Sequence, residues 1–196
     1  MQPEVTLEDT KTKTTKLKVL IADDDPPTRI LLRAAVGQWG YDIVEAKDGE
    51  EAWDLLQQPN PPRLLILDWL MPKLDGIGLC ARVKSNTNLH FYIILLTQLS
   101  GSTNVVKGLE AGADEFLSKP FNMAELRSRL AVGAKIIAYE NEIIEKNTTI
   151  NKCIDDIKLL STLINELSSQ DNDPKLQTIK SHLLALENEL KNQSKK

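Results

Sequence analysis

Acidic, hydroxyl and ammonium side chains stand in this chain where short apolar runs stop. Val19-Leu20-Ile21-Ala22 leads into Asp23-Asp24-Asp25, and Leu64-Leu65-Ile66-Leu67 leads into Asp68. Ile93-Ile94-Leu95-Leu96 ends in Thr97, and Phe116-Leu117-Ser118 ends in Lys119-Pro120. If the four runs are neighbouring parallel strands, these ends meet in one crevice. Carboxylates gathered that closely repel one another, so the cluster is strained or partly protonated on its own. A hard divalent cation relieves the repulsion, and oxygen donors with retained waters suit Mg²⁺. Such a cation also offsets charge on an incoming phosphoryl group while one carboxylate attacks phosphorus in line. Lys119 is placed to pair with that carboxylate and then with a phosphoryl oxygen, and Thr97 to donate a hydrogen bond to another. Cation, ammonium and hydroxyl together make an electrostatic cradle for phosphoryl transfer.

The elements that must position these groups are legible from about Lys18 to Leu130. Apolar runs at Val19–Ala22, Tyr41–Ala46, Leu64–Leu67, Tyr92–Leu96 and Glu115–Leu117 alternate with helix-like stretches. The stretches are Thr28–Trp39, Glu50–Gln57, Gly76–Lys84, about Thr103–Ala111, and Met123 onward. Turn signals fall between them at Gly40, Asp48-Gly49, Pro59 to Pro62, Pro72 and Gly112. Pro26 and Pro27 stand where a first helical turn tolerates a missing N–H. The first, third and fourth runs are continuously apolar, the mark of a parallel sheet covered on both faces. Five β–α units in this order predict a doubly wound α/β fold with ligands at the carboxyl ends of the strands.

Three regions are expected: a disordered leader over 1–16, an α/β domain over 17–133 and a helical extension over 134–196. In the extension Ile136, Ile143, Ile150, Ile157 and Ile164 recur every seven residues, with Tyr139, Lys146, Cys153, Leu160 and Leu167 between them. β-Branched residues at each first heptad position favour a parallel two-stranded coiled coil, so a homodimer through this helix is expected. A helix hairpin folded on the α/β domain is the competing reading. Ser168 to Pro174 breaks the helix, and Leu176, Ile179, Leu183, Leu186 and Leu190 mark a second amphipathic stretch.

Bulk properties narrow the functional classes. A chain of 196 residues with 41% hydrophobic content buries one ordinary core with residues left over. A net charge of -4 and a pI near 5.3 disfavour direct DNA binding, which needs clustered Lys and Arg. Cys80 and Cys153 lie far apart with no second thiol near either, which fits a reducing cytoplasm. No run is long and apolar enough for a membrane span, and the leader lacks the apolar core of a secretory signal.

The strings VLIADDDP, LLILDWLMPKLDG, IILLTQ and ADEFLSKPF, in this order and spacing, resemble the signature segments of response-regulator receiver domains. The resemblance spans roughly Lys18 to Leu130 and implies a flavodoxin-like five-stranded sheet. It assigns Asp68 as phosphoacceptor, Asp23 and Asp24 as the metal-binding acid pair, and the backbone carbonyl of Leu70 to the Mg²⁺ shell. By the same resemblance Thr97 is the switch hydroxyl, Phe116 the switch aromatic and Lys119 the phosphoryl-binding lysine, with a cis Lys119-Pro120 bond. The implied function is a two-component response regulator, a phosphoacceptor signalling protein and not an enzyme. It takes a phosphoryl group from a histidine kinase or phosphotransfer protein and relays the state to a helical tail and a protein effector.

Other readings compete at single positions. Asp23 to Asp25 could be helix-capping acids, and Asp25, just before Pro26, fits that role. Phe116 could be a fixed core aromatic, Thr97 could satisfy backbone groups, and Trp69 is expected to cover the rim of the site. His90 reads as a loop residue. His182, in TIKSHLLALENEL, would serve a phosphotransfer hairpin if the extension is one. The segment ELRSRLAVGAKIIAYENEI resembles the joint before a diguanylate cyclase or phosphatase domain, so a regulatory fragment of such an enzyme is a further alternative. Leu70 and Leu99, two residues beyond Asp68 and Thr97, cannot orient an attacking water. With Gln98 crowding the entrance, they predict a long-lived phosphoryl state.

Overall fold

The computed structural model describes residues 16–86, 89–98, 102–168 and 174–193. Residues 1–15 of the leader, Leu99 and the helix break after Ser168 lie outside these residues. Strands β1 (Lys18–Ala22), β2 (Asp42–Ala46), β3 (Leu64–Asp68), β4 (Tyr92–Thr97) and β5 (Glu115–Ser118) form one parallel sheet in the order β2-β1-β3-β4-β5. Helices α1 (Pro26–Gln38), α2 (Gly49–Leu56), α3 (Gly76–Asn86) and α4 (Ser102–Glu110) separate the strands. Helix α5 (Met123–Ser168) follows β5, and α6 (Pro174–Gln193) ends the described chain.

The continuous apolar strands are explained by two cores, one on each face. Because side chains alternate across a strand, Leu20, Leu65, Leu67, Ile93 and Leu95 join Ala52, Leu56, Leu79 and Val83 of α2 and α3. Val19, Ile21, Leu64, Ile66, Ile94 and Leu96 join Leu32 and Val36 of α1 and Leu126, Leu130 and Ile137 of α5. Every residue of β3 and β4 is buried. Each fully buried Leu or Ile is worth about 1.5–3 kcal/mol over an exposed one, so the sheet fixes the strand ends firmly.

Local signals set the helix starts. Asp25 caps α1, its Oδ2 accepting from the Thr28 N–H at 3.0 Å and the Thr28 hydroxyl at 2.6 Å, and Pro26 and Pro27 fill the first turn. The helix-like stretch read from Thr28 thus extends back over the two prolines, which fill the first turn as their position predicts. Asp48 caps α2 through the Glu51 N–H. The Lys119-Pro120 bond is cis, as the resemblance implies.

The chain divides by contacts into two compact units, the first ending at Ile137 and the second beginning at Ala138. The expected boundary at 133 falls inside α5, and Ile136 and Ile137 pack with the first unit's core. In the second unit the covered face of α5 runs through Asn147, Ile150, Ile154, Ile157, Ser161 and Ile164, at alternating steps of three and four. Tyr139, Ile143, Leu159, Leu160 and Leu163 are exposed. The covered seam thus pairs the isoleucine positions with the residues four after them, not with the expected Tyr139, Lys146, Cys153 and Leu160. A single chain explains the shift: Ile154 and Ile157 are buried without any partner copy. Leu176, Leu183, Glu187 and Leu190 form the half-covered face of α6, while His182 is exposed.

Candidate functional site

Asp23 follows β1, Asp68 ends β3 and Thr97 ends β4, so the β1-β3-β4 order sets them side by side. Carboxylate oxygens of Asp23, Asp24 and Asp68 all lie within 4.8 Å of one another. Asp23 and Thr97 are wholly buried, Asp68 is 7% exposed, and Asp24 is open to solvent. Lys119 reaches in from beyond β5, its Nζ 2.9 Å from Asp23 Oδ2 and 3.0 Å from Asp68 Oδ1. Its backbone N–H donates to the Thr97 carbonyl at 2.6 Å, which ties the lysine to the end of β4.

Charge balance follows from this packing. Burial pushes the Asp68 carboxyl above its ordinary range, and the nearby Asp23 charge adds to that push. The Lys119 ammonium and its hydrogen bond only partly offset it. For Lys119, burial opposes the charge, but its bonds to Asp23 and Asp68 outweigh burial and hold the ammonium above its usual value. Asp23 is anchored further: its Oδ1 accepts from the Asp25 N–H at 2.9 Å, and its carbonyl accepts from Arg29 Nη1 at 2.7 Å. Three carboxylates offset by one ammonium form a hard, oxygen-rich donor set. Its chemistry fits a divalent cation of the Mg²⁺ type, with Asp24 on the open side.

Two neighbours differ from expectation. Trp69 does not cover the rim. It continues the inward register of Leu65 and Leu67, its backbone N–H donates to the Leu96 carbonyl at 2.7 Å, and it is 6% exposed. Its ring meets Phe116 edge-on, with centroids 6.0 Å apart and planes at 90°. Phe116 is partly buried, while Leu70 is exposed.

Sequence reasoning missed the groups that shape the loop after Asp68. Gly76 opens α3 so close to the Asp68 carbonyl that any Cβ would overlap it, which leaves room for glycine alone. Its N–H donates to the Trp69 carbonyl at 2.9 Å. The glycine at the head of the Gly76–Lys84 stretch is the one signal in the sequence that could have found this close approach. Asp48 and Lys73 pair at 2.6 Å.

A family model described as the response regulator receiver domain matches residues 19–131. The chain belongs to the response-regulator receiver family. The receiver is 40% identical over 115 residues to a probable transcriptional regulator ycf27 of Porphyridium aerugineum, covering 59% of this chain and 47% of that protein. The chain is 34% identical over 146 residues to the alkaline phosphatase synthesis transcriptional regulatory protein PhoP of Bacillus subtilis, covering 73% of this chain and 60% of that protein. The chain thus spans about half the length of the curated relatives it matches. Among solved structures, the receiver domain of the Francisella response regulator 1452 superposes with a TM-score of 0.59 at 34% identity, over 62% of this chain and 99% of that one. The receiver fold is the five-stranded, flavodoxin-like one expected. No helix among the described residues is long and apolar enough to cross a membrane.

Proposed function

We propose that Asp68 is the phosphoacceptor of a two-component response regulator, taking its phosphoryl group from a histidine kinase or phosphotransfer protein. The observation that carries this reading is the buried meeting of Asp23, Asp68 and Lys119 beside solvent-open Asp24. A carboxylate oxygen of Asp68 attacks phosphorus, the bond from phosphorus to the donor nitrogen breaks, and its electron pair leaves with the donor histidine. The product is an aspartyl phosphate. Asp23, Asp24, Asp68 and the backbone carbonyl of Leu70 would hold Mg²⁺, which when bound offsets charge on the incoming phosphoryl group. Lys119 shifts from pairing with Asp68 to pairing with a phosphoryl oxygen, and the Thr97 hydroxyl donates to another.

The relay follows from the same residues. Added charge at the strand ends draws Thr97 inward, and Phe116 repacks with it, resetting the α4–β5–α5 face. The exposed apolar residues of the second unit support a homodimer or an effector contact as the output. Balanced charge in that unit supports protein contacts over direct DNA binding, although the relatives named above are transcriptional regulators. The two unpaired cysteines, one buried and one exposed, support a cytoplasmic setting.

The test is phosphoryl uptake from acetyl phosphate with Mg²⁺. The native chain should take label that is base-labile, and Asp68→Asn should take none. Uptake retained by Asp68→Asn overturns the assignment. Base-stable, acid-labile label would instead mark His182. For the output, oxidation should link Cys153 to its own counterpart if two α5 helices pair in parallel. An unlinked chain that sediments as a monomer with and without beryllofluoride removes the dimer.

A further inference from the structure

Between β3 and α3 the chain runs from Trp69 to Asp75, and one residue in that loop carries an unusual backbone. Lys73 has φ of 66°, and the Leu74 N–H donates to the Pro72 carbonyl at 2.8 Å across it. This is a three-residue turn with a left-handed centre, a strained form that non-glycine residues rarely adopt. Strain of this kind persists only where surroundings enforce it, and it gathers at functional sites.

The enforcement comes from the start of α2. Lys73 Nζ donates to Asp48 Oδ2 at 2.6 Å, and the Asp48 side chain is 3% exposed against 59% for Lys73. Asp48 is itself fixed, because its Oδ1 accepts from the Glu51 N–H at 2.9 Å and Glu51 reaches back to the Lys47 N–H at 2.9 Å. Next to it, Gly49 lies so close to the Leu74 carbonyl that any side chain would overlap it. At the other end of the loop, the Gly76 N–H closes on the Trp69 carbonyl, and a Cβ at Gly76 would overlap the Asp68 carbonyl. The loop is pinned at both ends and in its middle.

We propose that Asp48 and Lys73 are positioning residues: their ion pair latches the 69–75 loop to the start of α2 and so holds the backbone that completes the cation site beside Asp68. This rests on the Mg²⁺ reading given above. The latch acts through geometry, and its sign separates it from simple charge effects. Lys73 is a cation near a cation site, so through-space electrostatics alone predicts that its removal tightens Mg²⁺ binding. The latch predicts weaker binding, because supporting partners outside the ligand shell typically change metal affinity by about tenfold or more.

The experiment titrates the full chain with MgCl₂ by calorimetry and follows amide hydrogen exchange at Leu74 and Gly76. Lys73→Met keeps the side-chain stem and removes the ammonium; Asp48→Asn keeps the α2 cap and removes the charge. Each should weaken Mg²⁺ binding about tenfold and speed exchange at both amides. The double variant should be no worse than either single one, since both break the same pair. Unchanged or tighter binding in Lys73→Met, with native exchange rates, overturns the latch while leaving the metal site standing. No Mg²⁺ binding by the native chain overturns the metal reading and this role of the latch with it. A melt followed by circular dichroism identifies a variant that has lost its fold. In that event Lys73→Arg, which keeps the charge, must restore near-native affinity for the proposal to survive.

Discussion

At the strand ends the polar groups that matter are buried and answered: Asp23 and Asp68 share Lys119, and Lys119 is tied by its backbone to Thr97. In the second unit the reverse holds, since Tyr139 is 66% and Ile143 58% exposed while the covered seam includes Asn147 and Ser161. The first region is shaped by two cores that force the acids together despite their repulsion. The second has more apolar surface than its own helices cover. Buried charge held under strain is what a chemical site needs, and uncovered apolar surface is what a contact surface needs. On the function proposed above, the labour divides accordingly: chemistry at the strand ends, recognition in the helices.

The sharpest way to break that division is Asp68→Asn, expected to abolish phosphoryl uptake, a loss of at least about 100-fold corresponding to ~2.7 kcal/mol of barrier, while leaving the sedimentation of the unmodified chain as it was. Next comes a pair of truncations in the second unit. Ile157→Ala should destabilise its helices by about 2 kcal/mol or more, as buried truncations do. Ile143→Ala should stay within about 0.5 kcal/mol in a monomer, as exposed ones do. Concentration-dependent melting that is sensitive to Ile143 would show the exposed face to be paired.

A smaller effect concerns strain at the site. The Asp68 carboxyl is raised in the folded chain, chiefly by burial. Its charge therefore costs stability at neutral pH, and that cost fades as pH falls through the raised folded value toward the unfolded one near 3.9. Without Mg²⁺, Asp68→Asn should melt about 2–4 °C higher at pH 7, roughly 1 kcal/mol for a chain of this size, with the gap closing in acid. The smallest effect is on lifetime. Leu70→Asn, at an exposed position beside Asp68, should speed loss of the phosphoryl group a few-fold, under about 1 kcal/mol of barrier.

What sequence could reveal follows from range. The strand ends were legible because each motif sits at a junction with its own local signature, and the order of strands then brought Asp23, Asp68, Thr97 and Lys119 together. The Asp48–Lys73 pair joins residues 25 apart through a turn that no periodicity announces. Trp69 was misplaced because a tryptophan beside an exposed loop looks like a lid, whereas the strand alternation carries it one step further inward. In the tail the isoleucine heptad is real, but a heptad specifies only that a stripe is covered, and an intrachain seam at Ile154 and Ile157 satisfies it as well as a partner does.

At Gly133, within α5, an added Cβ would overlap the ring of Tyr92, which opens β4. Ile137, one turn further on, is 1% exposed in the first unit's core. Anyone grafting this receiver onto a different output should therefore splice after residue 137. A junction placed where the seven-residue repeat starts would exchange part of the receiver's core for the new module, and any residue other than glycine at 133 would collide with the Tyr92 ring unless ring or helix moved.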